Sequence, residues 1–245
     1  MHGLGVVGDD LYIATHHGMF RAPAGSRRAA PVGEEGRDVM GFSVAADGRF
    51  LGSGHPAPGS SEPPALGLIA SSDRGRTWQP VALSGEADLH VLEAAGDRVY
   101  GVDAATGRLL VSGDGGRTFA EAPPPAAVLS LAISPRDPDH VVASTGSGLA
   151  ESRDAGRTWR LTDQMRAGLL EWPAPDRLLL VSGPGLVEAS GDRGRTWSPV
   201  AQLDAEPAAF LAQADQAHLA LADGRVLRSA DGGRTWALRA QVPAA

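Results

Sequence analysis

Short apolar runs alternate along the whole chain with turns rich in glycine, proline and aspartate. Four such runs lie at residues 89–93, 98–102, 108–111 and 117–120, each separated from the next by turn signals. No segment shows the 3.6-residue apolar period of an amphipathic helix. Short runs at regular spacing predict an all-β closed or radial fold, with about four strands in every ~40 residues.

An eight-residue motif, Ser-x-Asp-x-Gly-x-Thr followed by Trp or Phe, recurs five times, with successive copies 41, 40, 38 and 39 residues apart. A period of this length indicates a solenoid or a propeller, and four strands per period are typical of a propeller blade. In each copy the aspartate can accept hydrogen bonds from downstream amides, and the glycine can supply a positive φ. A catalytic group is needed once, so five identical carboxylates favour a structural role. The expected structural residues are Asp73, Asp114, Asp154, Asp192 and Asp231.

The first 37 residues align with the second repeat although they lack the motif. Ala24 takes the place of the motif aspartate, and Ala29 that of the tryptophan. We therefore predict one domain, a six-bladed β-propeller of four-stranded antiparallel blades whose first blade has a degenerate motif. The predicted blades span about residues 1–37, 38–84, 85–125, 126–164, 165–204 and 205–245. A proline-rich insertion, residues 56–64, falls between the second and third strands of the second blade.

Composition excludes several kinds of chemistry. The formal net charge of −7 disfavours sequence-independent binding to the phosphate backbone of nucleic acid. All 22 basic residues are arginine, so a Schiff-base or P-loop lysine is excluded, and with no cysteine there is no thiolate nucleophile or ligand. No apolar run approaches the ~18 residues that a membrane span requires. We expect a monomer whose partner is a small molecule, a metal ion or a protein.

The motif resembles the Asp-box, or BNR repeat, of bacterial sialidases, sortilin-type receptors, xyloglucanases and photosystem II assembly factors, which share a propeller scaffold. Residues 2–6, 14–20, 40–42, 53–56 and 85–90 more closely resemble short bacterial BNR-repeat proteins. Those proteins are labelled glycosyl hydrolases by similarity and tend to be exported. The resemblance implies an extracytoplasmic location, periplasmic or secreted, although the chain as given begins without a signal peptide.

The histidines are unevenly distributed over the predicted blades. In a propeller, ligands usually bind on the face that carries the loops between the second and third strands of each blade and the loops between blades. Five of the seven histidines fall on that face, all in blades one to three, whereas the matching loops of blades four to six carry no histidine. The loops on this face therefore differ in sequence between blades one to three and blades four to six. Such a difference indicates a binding site in blades one to three. The expected ligand-binding residues are His2, His16, His17, Met40, His55, His90, Glu93 and Asp103.

Neutral imidazole suits a transition metal, and a nearby methionine would favour copper over zinc. The expected metal ligands are His2, His17, His55 and His90, which could converge with Asp38, Met40, Asp88, Glu93 or Asp103. Two alternatives stay open: a metal-free pocket for a small polar or anionic ligand, and histidines that only form local hydrogen bonds.

The hypothesis that the protein is a glycoside hydrolase depends on few residues. A sialidase needs a tyrosine nucleophile, and the two tyrosines, Tyr12 and Tyr100, both begin second strands near the opposite face. A glycoside hydrolase of another type needs two carboxyl groups about 5–5.5 Å or 6.5–9.5 Å apart. Glu93 and Asp103, with Glu171, are the candidates.

From the sequence, then, we expect a non-catalytic, exported propeller that binds a small ligand or a transition metal at the channel mouth of blades one to three. The alternatives are a glycoside hydrolase of the BNR-repeat type that is not a sialidase, and an assembly scaffold that docks a partner protein.

Overall fold

The computed structural model describes residues 1–33 and 36–243 and forms six four-stranded antiparallel sheets. The prediction of an all-β, six-bladed propeller is confirmed, and every element in the described residues is a strand. No helix there is long and apolar enough to cross a membrane. The chain forms two compact units, Met1–Ala122 with Ala240–Ala245, and Pro123–Arg239.

The first unit contains the first three sheets, which stack through two apolar layers. One layer, between the first and second sheets, includes Tyr12, Met19 and Phe50, and the next is built around Leu68 and Leu89. Strands that carry apolar residues on both faces are expected where a sheet is covered on both sides. The strands are β1 (Gly3–Val7), β2 (Asp10–Thr15), β3 (Gly18–Ala22), β4 (Ala30–Val32), β5 (Asp38–Val44), β6 (Phe50–His55), β7 (Leu68–Ser71), β8 (Gln79–Ala82), β9 (Leu89–Ala95), β10 (Arg98–Asp103), β11 (Leu109–Ser112) and β12 (Ala120–Ala122).

The second unit contains the other three sheets except for the last two residues of β24, Ala240 and Gln241, which belong to the first unit. Its apolar layers are built around Trp172 and Leu180 and around Val187 and Leu219. The strands are β13 (Val128–Ile133), β14 (Val141–Thr145), β15 (Gly148–Ser152), β16 (Arg160–Asp163), β17 (Leu169–Ala174), β18 (Arg177–Val181), β19 (Leu186–Ser190), β20 (Ser198–Gln202), β21 (Pro207–Gln213), β22 (Gln216–Leu221), β23 (Arg225–Ser229) and β24 (Ala237–Gln241).

The motif forms the turn between the third and fourth strands of five blades. In the second blade the Ser71 hydroxyl donates to Asp73 Oδ1 at 2.8 Å, and the Gly75 amide donates to Ser71 Oγ at 2.8 Å. The Thr77 amide and hydroxyl donate to the two oxygens of Asp73 at 2.9 and 2.7 Å. These bonds, those from Thr77 foremost, lower the pKa of Asp73 to about 2. Gly75 has a φ of 83°, which lets the turn close.

The same hydrogen bonds recur at Asp114, Asp154, Asp192 and Asp231. Each carboxylate is therefore engaged within its own turn.

The first blade closes its turn by a different contact. The carboxylate of Asp10, at the start of β2, accepts the Ala24 amide at 3.0 Å and pairs with Arg21 at 2.7 Å. Asp10 thus binds the backbone amide of Ala24, the residue that stands where the other blades have the motif aspartate. The first blade still has four strands.

The innermost strands of several blades carry a β-bulge near their first residues. Along β5 the pairing with β6 skips Met40, and along β9 the pairing with β10 skips His90. Leu129 and Ala208 are skipped in the same way on β13 and β21. A bulge leaves one residue outside the ladder and re-aims its side chain. In the first unit the two re-aimed residues are Met40 and His90, both expected in the site.

Candidate metal centre

The first unit holds two groups of two histidines and one aspartate. In each group one ligand atom per residue lies within 4.8 Å of the other two. The first triad is His2, His16 and Asp38, and the second triad is His55, Asp88 and His90. The sequence predicts one cluster of histidines; the structure divides them into two triads, each with its own carboxylate.

The first triad joins the start of β1, the turn after β2 and the start of β5. Nδ1 of His16 lies 3.0 Å from both carboxylate oxygens of Asp38. The rings of His2 and His16 meet edge to face, with centroids 4.1 Å apart. Within the described chain, Nε2 of His2 is buried and has no hydrogen-bond partner.

The electrostatics of the first triad favour a neutral imidazole at His2. Burial foremost, with nearby positive charge that includes His16 and His90, lowers the pKa of His2 to about 4. The ring is therefore neutral at pH 7 and retains a lone pair, the form in which histidine binds a metal. Because His90 of the second triad contributes to this shift, the two triads lie within electrostatic reach of each other.

The second triad joins the end of β6 to the start of β9. Nε2 of His55 lies 3.2 Å from Oδ2 of Asp88, and Nε2 of His90 lies 2.8 Å from the same oxygen. Ligand atoms around a tetrahedral zinc ion, with bonds of about 2.0–2.2 Å, are separated by about 3.4 Å. The three side chains therefore need only small adjustments to share one ion.

The orientation of His55 is set by the proline-rich insertion. Its Nδ1 lies 2.8 Å from the carbonyl oxygen of Pro64. A carbonyl oxygen only accepts hydrogen bonds, so Nδ1 carries a proton and donates to Pro64, while Nε2 lies toward Asp88. Metal-binding histidines usually donate their second ring nitrogen to a carbonyl or carboxylate in this way.

Asp88 is positioned by its surroundings. Its amide donates to Asp103 Oδ1 at 3.1 Å, and its carbonyl accepts the Ala104 amide at 2.8 Å. The Leu89 amide next to it donates to the buried Ser53 hydroxyl at 2.8 Å, which ties β9 to β6. Oδ1 of Asp88 is buried and has no partner in the described part of the chain. The backbone of Asp88 is thus fixed, while one oxygen of its carboxylate is unused.

The other expected site residues lie outside the triads. His17 has an exposed side chain, and its amide donates to the Thr15 hydroxyl at 3.0 Å. Met40 is half-buried at the β5 bulge. His16 and His17 both lie in the turn after β2, and it is His16 that reaches Asp38.

Asp103 acts as a support for the second triad. Its side chain is only 2% exposed, and its carboxylate also accepts the Thr106 hydroxyl. Burial alone would raise the pKa of Asp103, but hydrogen bonds from Thr106 and from backbone amides, that of Asp88 among them, outweigh it and hold the pKa below its ordinary value. Both carboxylate oxygens are engaged.

The candidate hydrolase residues are separated. Glu93 pairs in register with Tyr100, three residues before Asp103 on β10, which is about 10 Å along a strand. Burial raises the pKa of Glu93 to about 8. Glu171 belongs to the second unit, on β17.

Sequence reasoning missed two contributors to the second triad. Pro64 acts through its backbone carbonyl, and Ser53 through a bond to a residue 36 positions away. Every residue has a backbone carbonyl, so residue type does not show which carbonyl will accept a hydrogen bond from a histidine. The insertion at residues 56–64 was the available signal, because an extra loop beside a histidine can supply such a contact.

Comparisons with known proteins identify the fold. No family model and no curated protein matches the chain. Solved structures do match. A chain of a nidogen/laminin complex superposes with a TM-score of 0.70 at 12% identity, over 95% of this chain and 97% of that one. YCF48 bound to a D1 peptide matches with a TM-score of 0.51 at 15% identity, over 98% of this chain and 88% of that one.

An ancestral GH74 enzyme matches with a TM-score of 0.60 at 11% identity over 93% of this chain. This chain spans only 36% of that enzyme. The propeller fold is therefore shared with an enzyme and with propellers bound to protein partners. At these identities the likeness extends to the fold alone.

Proposed function

We propose that this propeller binds a divalent transition metal ion, zinc or copper, at the second triad. One observation carries the proposal: with Nδ1 of His55 held by the Pro64 carbonyl, Nε2 of His55 and Nε2 of His90 lie 3.2 and 2.8 Å from the same carboxylate oxygen of Asp88. An ion bound among these three atoms would be coordinated by both imidazoles and by the carboxylate, whose Oδ1 has no partner in the described residues.

The composition of the triad defines the class of metal. Two imidazoles and one carboxylate suit zinc, copper, iron or nickel and disfavour the hard ions calcium and magnesium, which prefer oxygen donors. The first triad has the same composition, and the neutral ring of His2 makes it a second site of the same class. Metal uptake would take place outside the cytoplasm, as the resemblance to exported repeat proteins implies.

The direct test is metal stoichiometry with matched variants. Purified, untagged protein is dialysed against zinc or copper, its metal content is measured, and binding is followed by calorimetry. His90→Ala removes a ligand of the second triad, and His16→Ala removes one of the first. His17→Ala is the control, because His17 is exposed and outside both triads.

We expect each triad variant to lose about one equivalent of metal relative to the wild-type protein, and His17→Ala to lose none. Metal binding that is equal in His90→Ala and His17→Ala would contradict the proposal.

Binding of a partner protein is the second candidate function. It is favoured by the two matched propellers that are bound to a protein or a peptide. In the second unit Leu129, Leu161 and Met165 are exposed by 50%, 47% and 89%. If this unit docks a partner, Met165→Glu should weaken the complex and leave metal uptake by the first unit unchanged.

A further inference from the structure

The second triad provides three protein ligands and leaves the rest of the coordination sphere open. We infer that the metal ion it holds keeps an exchangeable position that takes water or a small monoanionic ligand with an oxygen or nitrogen donor, such as a carboxylate. The inference rests on the proposed function, since it describes the ligand of the same metal ion.

The ligand count is the first argument. In the described residues the group contains His55, Asp88 and His90 and no fourth histidine or acidic side chain within the same reach. Structural zinc sites are closed by four protein ligands, whereas sites with three protein ligands keep a fourth position for water or substrate. Two histidines and one carboxylate also form the facial arrangement that leaves several positions free.

Access to solvent is the second argument. The side chains of His55 and His90 are 47% and 37% exposed, while that of Asp88 is 13% exposed. The carboxylate thus lies at the base of the site and the imidazoles at its rim. An ion bound between them faces solvent on the side opposite Asp88, so an external ligand can reach it without displacing a protein group.

Charge selects the class of ligand. A divalent ion with two neutral imidazoles and one carboxylate has a net charge of about +1, which a single monoanion neutralises.

Cobalt provides the test because its visible absorption reports coordination number and ligand exchange. His16→Ala protein, in which only the second triad is intact, is loaded with Co²⁺ and its cobalt content is measured. It is then titrated with azide and, separately, with acetate. His16→Ala,His90→Ala protein is the control for cobalt bound elsewhere.

We expect about one equivalent of cobalt in His16→Ala protein. Its visible bands should shift with azide and acetate, and the shift should saturate. No such shift is expected in the double variant. Stoichiometric cobalt with bands that azide and acetate leave unchanged would overturn this inference alone, because the metal site would be closed. Failure to take up cobalt, zinc or copper would overturn the proposed function and this inference together.

Discussion

Replacing Gly41 by alanine tests whether the packing of β5 against β9 sets the geometry of the second triad. A Cβ at Gly41 would lie 2.0 Å from the carbonyl oxygen of Leu89 and 3.1 Å from Cβ of Leu92. Leu89 lies directly between Asp88 and His90 in the chain. A real Cβ keeps at least 3.0 Å from such an atom, so the two strands must separate by at least 1 Å (3.0 − 2.0).

The displaced atom belongs to the backbone, so the clash cannot be relieved by a side-chain rotation. Overpacking of this kind costs about 1–3 kcal/mol, which corresponds to a fall in melting temperature of about 3–10 °C for a chain of this size. Metal–ligand distances tolerate about 0.2 Å, so a shift of this size should weaken metal binding at the second triad at least about 10-fold.

The assay is thermal unfolding followed by circular dichroism, together with calorimetric zinc titration. Gly146→Ala is the matched control, because a Cβ there meets no atom within 4 Å. The control should match the wild-type protein in both measurements. The reasoning would be refuted if Gly41→Ala melted at the wild-type temperature and bound zinc with wild-type affinity.

Two further predictions concern pH. The folded-state pKa of Asp73 is about 2, below its ordinary 3.8, so its stabilising contribution is present above about pH 4 and lost as the pH falls towards 2. Asp73→Asn should therefore lower the melting temperature at pH 7 and approach the wild-type value in acid; a difference independent of pH would argue against the turn bonds. The folded-state pKa of Glu93 is about 8, above its ordinary 4.5, so the wild-type protein loses stability as the pH rises from about 4.5 through 8. Glu93→Gln should remove this loss and raise the stability at about pH 9 by on the order of 5 kcal/mol (3.5 × 1.36), measured by urea unfolding; equal slopes of stability against pH would contradict the assigned pKa.

The propeller could be predicted from local sequence because each blade repeats the same local interactions. The turn at Asp73 is closed by residues two to four positions apart, so its motif records the whole hydrogen-bond set. Five such turns at a nearly constant spacing give the number of blades once the degenerate first repeat is aligned. The face on which the histidines lie also follows from this order, because strand and loop positions repeat with the motif.

The division of the histidines into two triads was decided by the tertiary structure. His55 and Asp88 are 33 positions apart in sequence (88 − 55), and they meet because β6 and β9 belong to adjacent blades. His16 rather than His17 faces Asp38 because the direction of a side chain in a tight turn depends on backbone angles that residue type does not specify. The bulge at His90 likewise depends on pairing between strands.

What the sequence alone determined is the architecture, since the turns and strand periodicity that build a blade are local and repeated. What only the tertiary structure decided is which side chains share an ion and which backbone groups orient them. Those contacts join different blades and depend on displacements of about 1 Å, such as the close approach of Gly41 to Leu89. A pattern along one chain records which residues are present, whereas coordination depends on distances between residues far apart in that chain.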